Sequence, residues 1–376
     1  MSSPHRHFHR LAWVAVLLAF AVIVFGAYVR LSDAGLGCPD WPTCYGQAAW
    51  PRHDEQVASA NQRFERPVEV GKAWKEQVHR HLAALLGGLV LGLALLAARR
   101  RRFGVATVLG ASALVAVAIR LYMTDQHLAS SLLVALAQVW LWAFVVTGRG
   151  ADSGRLAVAT LAVIIVQAML GMWTVTWLLK PVVVMAHLIG GLTEFSLLLW
   201  QACRTSPGAL MPRADHRPLR RLLRVGLVLL GVQIALGGWT SANYAALACG
   251  TDFPTCQGQW WPETDFGEAF VLWRGIGVDY EGGVLDGAAR TAIQLSHRLM
   301  AVLVFAYLLW LALRLRRRSG LAGWGWTLGL LLGAQVGLGI GNVVFGLPLW
   351  MATAHNAGAV LLLVVLVSLL ARLKPV

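Results

Sequence analysis

Two short stretches hold side chains able to do chemistry together. In Trp74-Lys75-Glu76-Gln77-Val78-His79-Arg80 a carboxylate stands three residues before a histidine, and an arginine follows it. In Gln294-Leu295-Ser296-His297-Arg298 the histidine–arginine pair returns, with an amide in place of the carboxylate. Two further histidines, His187 and His355, follow these pairs in the same order. Residues three apart share one side of an α-helix, so Glu76 stands beside His79 and Gln294 beside His297. Imidazoles ligate metals and carry protons. A carboxyl group beside one can exchange protons, and an amide cannot. The pattern predicts two similar sites, of which the first is reactive.

These residues sit in apolar surroundings. The 376-residue chain is 57% hydrophobic. Uncharged runs such as Leu11–Val29, Gln126–Gly148, Leu156–Leu179 and Val225–Thr251 are long enough to cross a bilayer. Ser319–Ala371 has room for two spans, broken at Gly346-Leu347-Pro348. The expected fold is an all-α polytopic membrane protein with ten helices, roughly 11–30, 77–98, 103–120, 128–147, 156–178, 182–203, 223–241, 291–313, 323–345 and 351–371. The first run lacks an Ala-x-Ala site and is read as a span rather than a cleaved signal.

A net charge of +14 is compatible with nucleic-acid binding, but its distribution is not. Alternating the connections puts most basic residues on one side, including Arg10, Arg101, Arg102, Arg204, Arg220, Arg221, Arg314 and Arg317. That bias marks the cytoplasmic side, so both termini are expected inside, with membrane lipid rather than nucleic acid as the surrounding partner. Cys38 and Cys44, and Cys249 and Cys256, then fall as close pairs in two outside loops, where disulfides persist. Structural staples and a redox relay both fit these pairs. Neither loop adds the ligands a zinc site needs.

The chain is an internal repeat. Asp40-Trp41-Pro42-Thr43-Cys44-Tyr45-Gly46-Gln47 matches Asp252-Phe253-Pro254-Thr255-Cys256-Gln257-Gly258-Gln259, and Gln167-Ala168-Met169-Leu170-Gly171 matches Gln233-Ile234-Ala235-Leu236-Gly237. Both halves run in the same orientation, so the repeat is parallel. The two histidines of the first half lie about fifty residues further apart than those of the second, enough for two extra helices at about 103–150. The expectation is two pseudo-symmetric four-helix bundles, residues 1–203 and 204–376, with a two-helix insertion in the first. His79, His187, His297 and His355 each fall about one turn inside an outer helix end. Paired imidazoles at one depth on two helices suit a haem held by two axial ligands. Polar groups at that depth are costly and mark function. Arg30, Arg80 and Arg298 stand at the outer rim, where guanidinium groups suit haem propionates or act as interfacial anchors.

The motifs Leu36-Gly37-Cys38-Pro39-Asp40-Trp41-Pro42-Thr43-Cys44, Glu76-x-x-His79-Arg80, Ala186-His187-Leu188-x-Gly190-Gly191, Gly238-Trp239-Thr240-Ser241-x-Asn243-Tyr244, His297-Arg298 and Ala354-His355-Asn356-Ala357-Gly358 resemble the haem A synthase family. The resemblance covers nearly the whole chain. It implies oxidation of a ring methyl group of haem O to a formyl group, giving haem A for cytochrome oxidase assembly. It also implies a haem b cofactor (iron) ligated by His297 and His355, and a substrate haem between His79 and His187. The family's essential glutamate maps to Glu76 and its loop disulfide to Cys38–Cys44. The implied location is the inner (cytoplasmic) membrane of a bacterial cell. Haem O synthase and an electron donor are the implied partners, and a homo-oligomer stays open. The insertion departs from the family's eight-helix pattern.

Two rival readings explain less. A quinone-linked thiol–disulfide oxidoreductase uses the cysteine pairs but leaves four matched histidines idle. An electron-transfer cytochrome b uses the histidines but not the Glu76/Gln294 difference. A second membrane carboxylate, Glu194, lies two turns inward of His187, as part of a proton path or as a hydrogen-bonded structural group.

Overall fold

The computed structural model describes residues 3–99, 101–147, 153–206 and 217–373. Twelve helices account for nearly all of the regular structure in those segments: α1 (Ser3–Leu31), α2 (Asp54–Arg63), α3 (Val70–Ala98), α4 (Gly104–Tyr122), α5 (His127–Thr147), α6 (Ser153–Thr176), α7 (Pro181–Thr205), α8 (Arg217–Ala242), α9 (Phe266–Ala269), α10 (Gly287–Arg316), α11 (Ala322–Val344) and α12 (Leu349–Arg372). Ten are long and apolar enough to cross a membrane. The two short ones, α2 and α9, lie in the cysteine loops and are too polar or too short to stand out by hydropathy.

The spans pack as two rings of four. In the first, α1 meets α3 and α7, and α6 meets α3 and α7. In the second, α8 meets α10 and α12, and α11 meets α10 and α12. The rings join through α7 and α1 against α8 and α12. α12 is the most enclosed span. The insertion is a tight hairpin. Its α4 and α5 pair closely, with α4 against α3 and α5 against α6. Gly110 allows this, because a Cβ there would stand 2.5 Å from the Trp140 ring. Gln138 Nε2 ties the hairpin to the bundle by donating to the Ala162 carbonyl at 3.1 Å.

The apolar core is continuous through the end of the bundle opposite the cysteine loops, where Leu198, Leu199, Leu219, Leu223, Leu308, Leu311, Leu366 and Leu369 are all buried. Large apolar side chains such as Leu17, Leu132, Val139 and Leu330 point outward, as a lipid-facing girdle requires. On the cysteine-loop side the two halves are strapped together. Arg66 pairs with Glu281 at 2.8 Å and Asp279 at 3.2 Å. Tyr280 N–H donates to the Leu178 carbonyl at 3.0 Å. The ammonium of fully buried Lys180 lies 3.3 Å from the Trp273 ring centre, a cation–π contact.

Two helix starts differ from expectation. α3 begins at Val70 rather than near 77, and α10 at Gly287 rather than near 291. Lys72, Lys75, Glu76 and Gln77 break the apolar signal, but Ala73, Glu76 and Gln77 are buried under the first cysteine loop, so the helix continues there. In α10 the Asp286 side chain caps the start by accepting from Ala289 N–H at 2.8 Å. His79 and His297 therefore sit more than two turns inside their helices, not one. Glu76 lies in the second turn, so it is not a helix-start carboxylate sustained by the dipole.

Candidate haem-binding active site

Each cysteine loop is closed by a disulfide, Cys38–Cys44 and Cys249–Cys256, and each is nailed to its bundle by an arginine. Arg80 donates to the carbonyls of Asp40 and Thr43, both at 2.7 Å, and to that of Cys38 at 3.3 Å. Arg298 donates to the repeat-matched carbonyls of Asp252 at 3.0 Å and Thr255 at 2.9 Å. The first half adds a link that the second lacks. Glu76 accepts from Arg80 Nη2 at 2.5 Å and from the Cys38 N–H at 2.8 Å. Its carboxylate thus joins the disulfide loop to the histidine helix. In the second half Gln294 is equally buried, but its Oε1 has no partner.

One cavity of about 1720 Å³ runs through the loop-side half of the molecule, beyond the roughly 300–1,000 Å³ of an ordinary ligand pocket. Its lining includes Glu76, His79 and His187 from the first ring, and Gln294, His297 and His355 from the second. His79 and His187 are near enough to interact electrostatically, as are His297 and His355. Arg30, Arg80 and Arg298 line the same cavity. Arg30 bridges the halves, donating to the Ser241 carbonyl at 2.7 Å and the Tyr244 hydroxyl at 3.0 Å. The Nε atoms of Arg30 and Arg298 are buried without partners. His81 stands at an exposed position, 3.1 Å from the Ala48 carbonyl, and His127 packs on Tyr122.

Every ring histidine faces a glycine on a neighbouring helix. A Cβ on Gly26 would stand 2.7 Å from His79, on Gly171 3.0 Å from His187, on Gly237 3.2 Å from His297, and on Gly339 3.0 Å from His355. One turn before three of these glycines stands a glutamine. Gln167 Nε2 donates to the His187 carbonyl at 2.6 Å and lies 3.0 Å from its Nδ1. Gln233 Nε2 approaches His297 in the same way, at 3.2 Å from both its carbonyl and its Nδ1. Gln335 Nε2 lies 3.4 Å from His355 Nε2. These amides touch the rings and limit how they turn. The matching position on α1 is Val22, so His79 alone lacks the amide. In the sequence two of the Gln-x-x-x-Gly strings stand out only as repetition. Their recurrence as Gln335-x-x-x-Gly339 was the available signal that they support the histidines.

Among the described residues no group of three or more His, Cys, Asp or Glu converges as a cage for a bare ion. A haem brings its own equatorial nitrogens and asks the protein for axial donors alone. Two imidazoles per ring, each with a glycine clearing space beside it, fit that demand. Residues 9–120 and 121–367 match the family model described as COX15-CtaA, cytochrome oxidase assembly protein. This chain belongs to that family.

Similarity to curated COX15-CtaA relatives extends along the chain. It is 38% identical to a protein named heme A synthase from Shewanella oneidensis over 96% of each chain. A heme A synthase from Methylorubrum extorquens is 34% identical over 63% of this chain and 61% of its own. Another, from Rhizorhabdus wittichii, is 26% identical over 94% of this chain and 90% of its own.

The glycine at α1 makes a prediction for this COX15-CtaA site. Gly26→Ala is expected to weaken haem binding between His79 and His187 about tenfold, since overpacking costs roughly 1–3 kcal/mol. The second ring lies on other helices, so haem binding there should not change. Titration followed by absorption difference spectra checks both. An unchanged affinity in the first ring would mean that the His79 side chain turns away freely.

Proposed function

We propose that this membrane protein is a haem A synthase, oxidising a ring methyl group of haem O to a formyl group. The observation carrying this reading is the 38% identity to a heme A synthase over 96% of both chains. Residues 1–203 form the substrate half, with His79 and His187 as the axial ligands of haem O. Residues 204–376 form the cofactor half, with His297 and His355 holding haem b. Bound haem supplies one-electron redox chemistry.

The chain's own residues orient the substrate and handle protons. Conversion of a methyl to a formyl group is a four-electron oxidation that exchanges two hydrogens for one oxygen atom. With dioxygen as oxidant of each two-electron step, the electron donor supplies the electrons that reduce its second oxygen atom to water, and protons must leave the ring edge. Glu76 is the acid–base group for that step, because its carboxyl lines the cavity one turn from His79. Arg80 and the Cys38 N–H hold that carboxyl in one place. Gln294 has no such capacity, which makes the second half a relay rather than a reaction site. Arg30, Arg80 and Arg298 line the cavity with their forks engaged by backbone carbonyls, the Tyr244 hydroxyl and Glu76, so they offer propionates fixed positive charge. The protein lies in a bacterial inner membrane with its cysteine loops outside, receiving haem O from a haem O synthase and electrons from a separate donor.

The test is chromatography of haems extracted from cells that express this chain and supply haem O. A formyl haem absent from vector controls is the expected product. Its absence, in cells where the purified chain carries haem, would leave an electron-transfer cytochrome.

A further inference from the structure

One buried ionisable group lies outside the mechanism above. Glu194 is 2% exposed, lines the cavity, and has no hydrogen-bond partner on either carboxylate oxygen. It stands seven residues after His187 on α7, hence on the same face and about 10.5 Å further along the helix axis. Helical side chains lean toward the helix start, which shortens the axial gap between a carboxyl there and the His187 level. A carboxyl group without a partner in an apolar wall is costly, and its cost is lifted by a polar ligand atom brought to it.

The repeat says which half needs this. The position seven residues after His355 is Leu362, which lines the same cavity. Two sites matched in histidines and glycines thus differ in carboxylates at two places: Glu76 against Gln294 on the loop side, and Glu194 against Leu362 further in. The two haems assigned to these halves also differ at one polar place. Haem O carries a hydroxyl-bearing isoprenoid side chain where haem b has an apolar vinyl group. The propionates of either haem lie on the opposite edge of the macrocycle from that substituent. With propionates at the arginine rim, the hydroxyl faces inward.

We propose that Glu194 is a specificity-determining residue that hydrogen-bonds the hydroxyl group of the haem O side chain, and that Leu362 sets the corresponding wall for haem b. The proposal rests on the assignment of haem O to the first half. Either protonation state serves, because a carboxylate accepts from a hydroxyl and a carboxylic acid both donates and accepts. A glutamine at this position keeps an acceptor and a donor. Leucine keeps neither.

The experiment uses the full chain, purified with its resident haem, and titrates the remaining site separately with haem O and haem b, read by Soret difference spectra. Glu194→Leu should weaken haem O binding about tenfold, the scale of one net hydrogen bond in a buried site, and leave haem b binding within about twofold. Glu194→Gln should retain most of the haem O affinity. Should Glu194→Leu lose the resident haem, Glu194→Ala repeats the test without the added bulk. Equal losses for both haems, or no loss for haem O, would overturn the proposal. So would a glutamine variant that binds haem O as poorly as leucine. Normal haem O binding in both variants with loss of turnover would make Glu194 a proton-path residue instead. A wild-type chain that takes up no haem O at all would refute the substrate assignment itself, a different result from a failure at Glu194.

Discussion

Glu76→Gln is expected to abolish most haem A formation while the protein keeps its fold and its resident haem. The contacts say why folding survives. A glutamine oxygen still accepts from the Cys38 N–H, now at 2.8 Å from Glu76. The link to Arg80 Nη2 is lost, but Arg80 remains held by the Asp40 and Thr43 carbonyls. The second half already works this way, with Arg298 on the Asp252 and Thr255 carbonyls and Gln294 beside it. What disappears is the ionisable group. General acid–base catalysis contributes about 10²–10⁴-fold, so haem A should fall at least a hundredfold, with haem O or an alcohol intermediate accumulating. Chromatography of extracted haems reads the product, and the absorption spectrum of the purified variant reads the retained haem. Glu76→Asp, which keeps the acid but shortens its reach, should fall between the two. Haem A at wild-type levels in Glu76→Gln would reduce Glu76 to a strut under the cysteine loop.

Much of this arrangement is legible in the residues, for physical reasons that also mark where legibility stops. Ten spans are readable because each must be apolar over bilayer thickness whatever packs against it. The insertion is readable because it interrupts a repeat. The starts of α3 and α10 are not readable from hydropathy, since their first turns are polar and owe their helicity to burial under a loop or to the Asp286 cap. The rim arginines illustrate a different limit. Arg80 and Arg298 lie on the cysteine-loop side, and their guanidinium groups bind loop carbonyls tens of residues away, which no local pattern announces. Gln167, Gln233 and Gln335 are polar residues at one-turn spacing from a glycine on helices that carry no ring histidine. Their meaning appears only when α6, α8 and α11 are set against α7, α10 and α12. Glu194 reads ambiguously in sequence because nothing local tells a satisfied carboxyl from one left without partners. The structure shows the second.

Replacing the second-ring histidines should have the largest effect on haem content. His297→Ala and His355→Ala each remove one of the two proposed axial donors from a site whose polar neighbours Gln233 and Gln335 contact the histidines themselves. Loss of outer-shell partners alone typically costs 10–100-fold in metal affinity, so loss of a ligand should exceed about a hundredfold. Both variants are expected to emerge from purification with resident haem near background and with no haem A formation. The first ring supplies the internal control. His79→Ala should retain resident haem, because α3 belongs to the other bundle and contacts no helix of the second ring closely. It should still lose activity, because the substrate then lacks an axial ligand beside Glu76. Pyridine haemochrome analysis per mole of protein separates the three variants. A normal bis-imidazole spectrum in both His297→Ala and His355→Ala would place the resident haem elsewhere. Loss of resident haem in His79→Ala alone would exchange the roles of the two halves, and with them the meaning of Glu76 and Gln294.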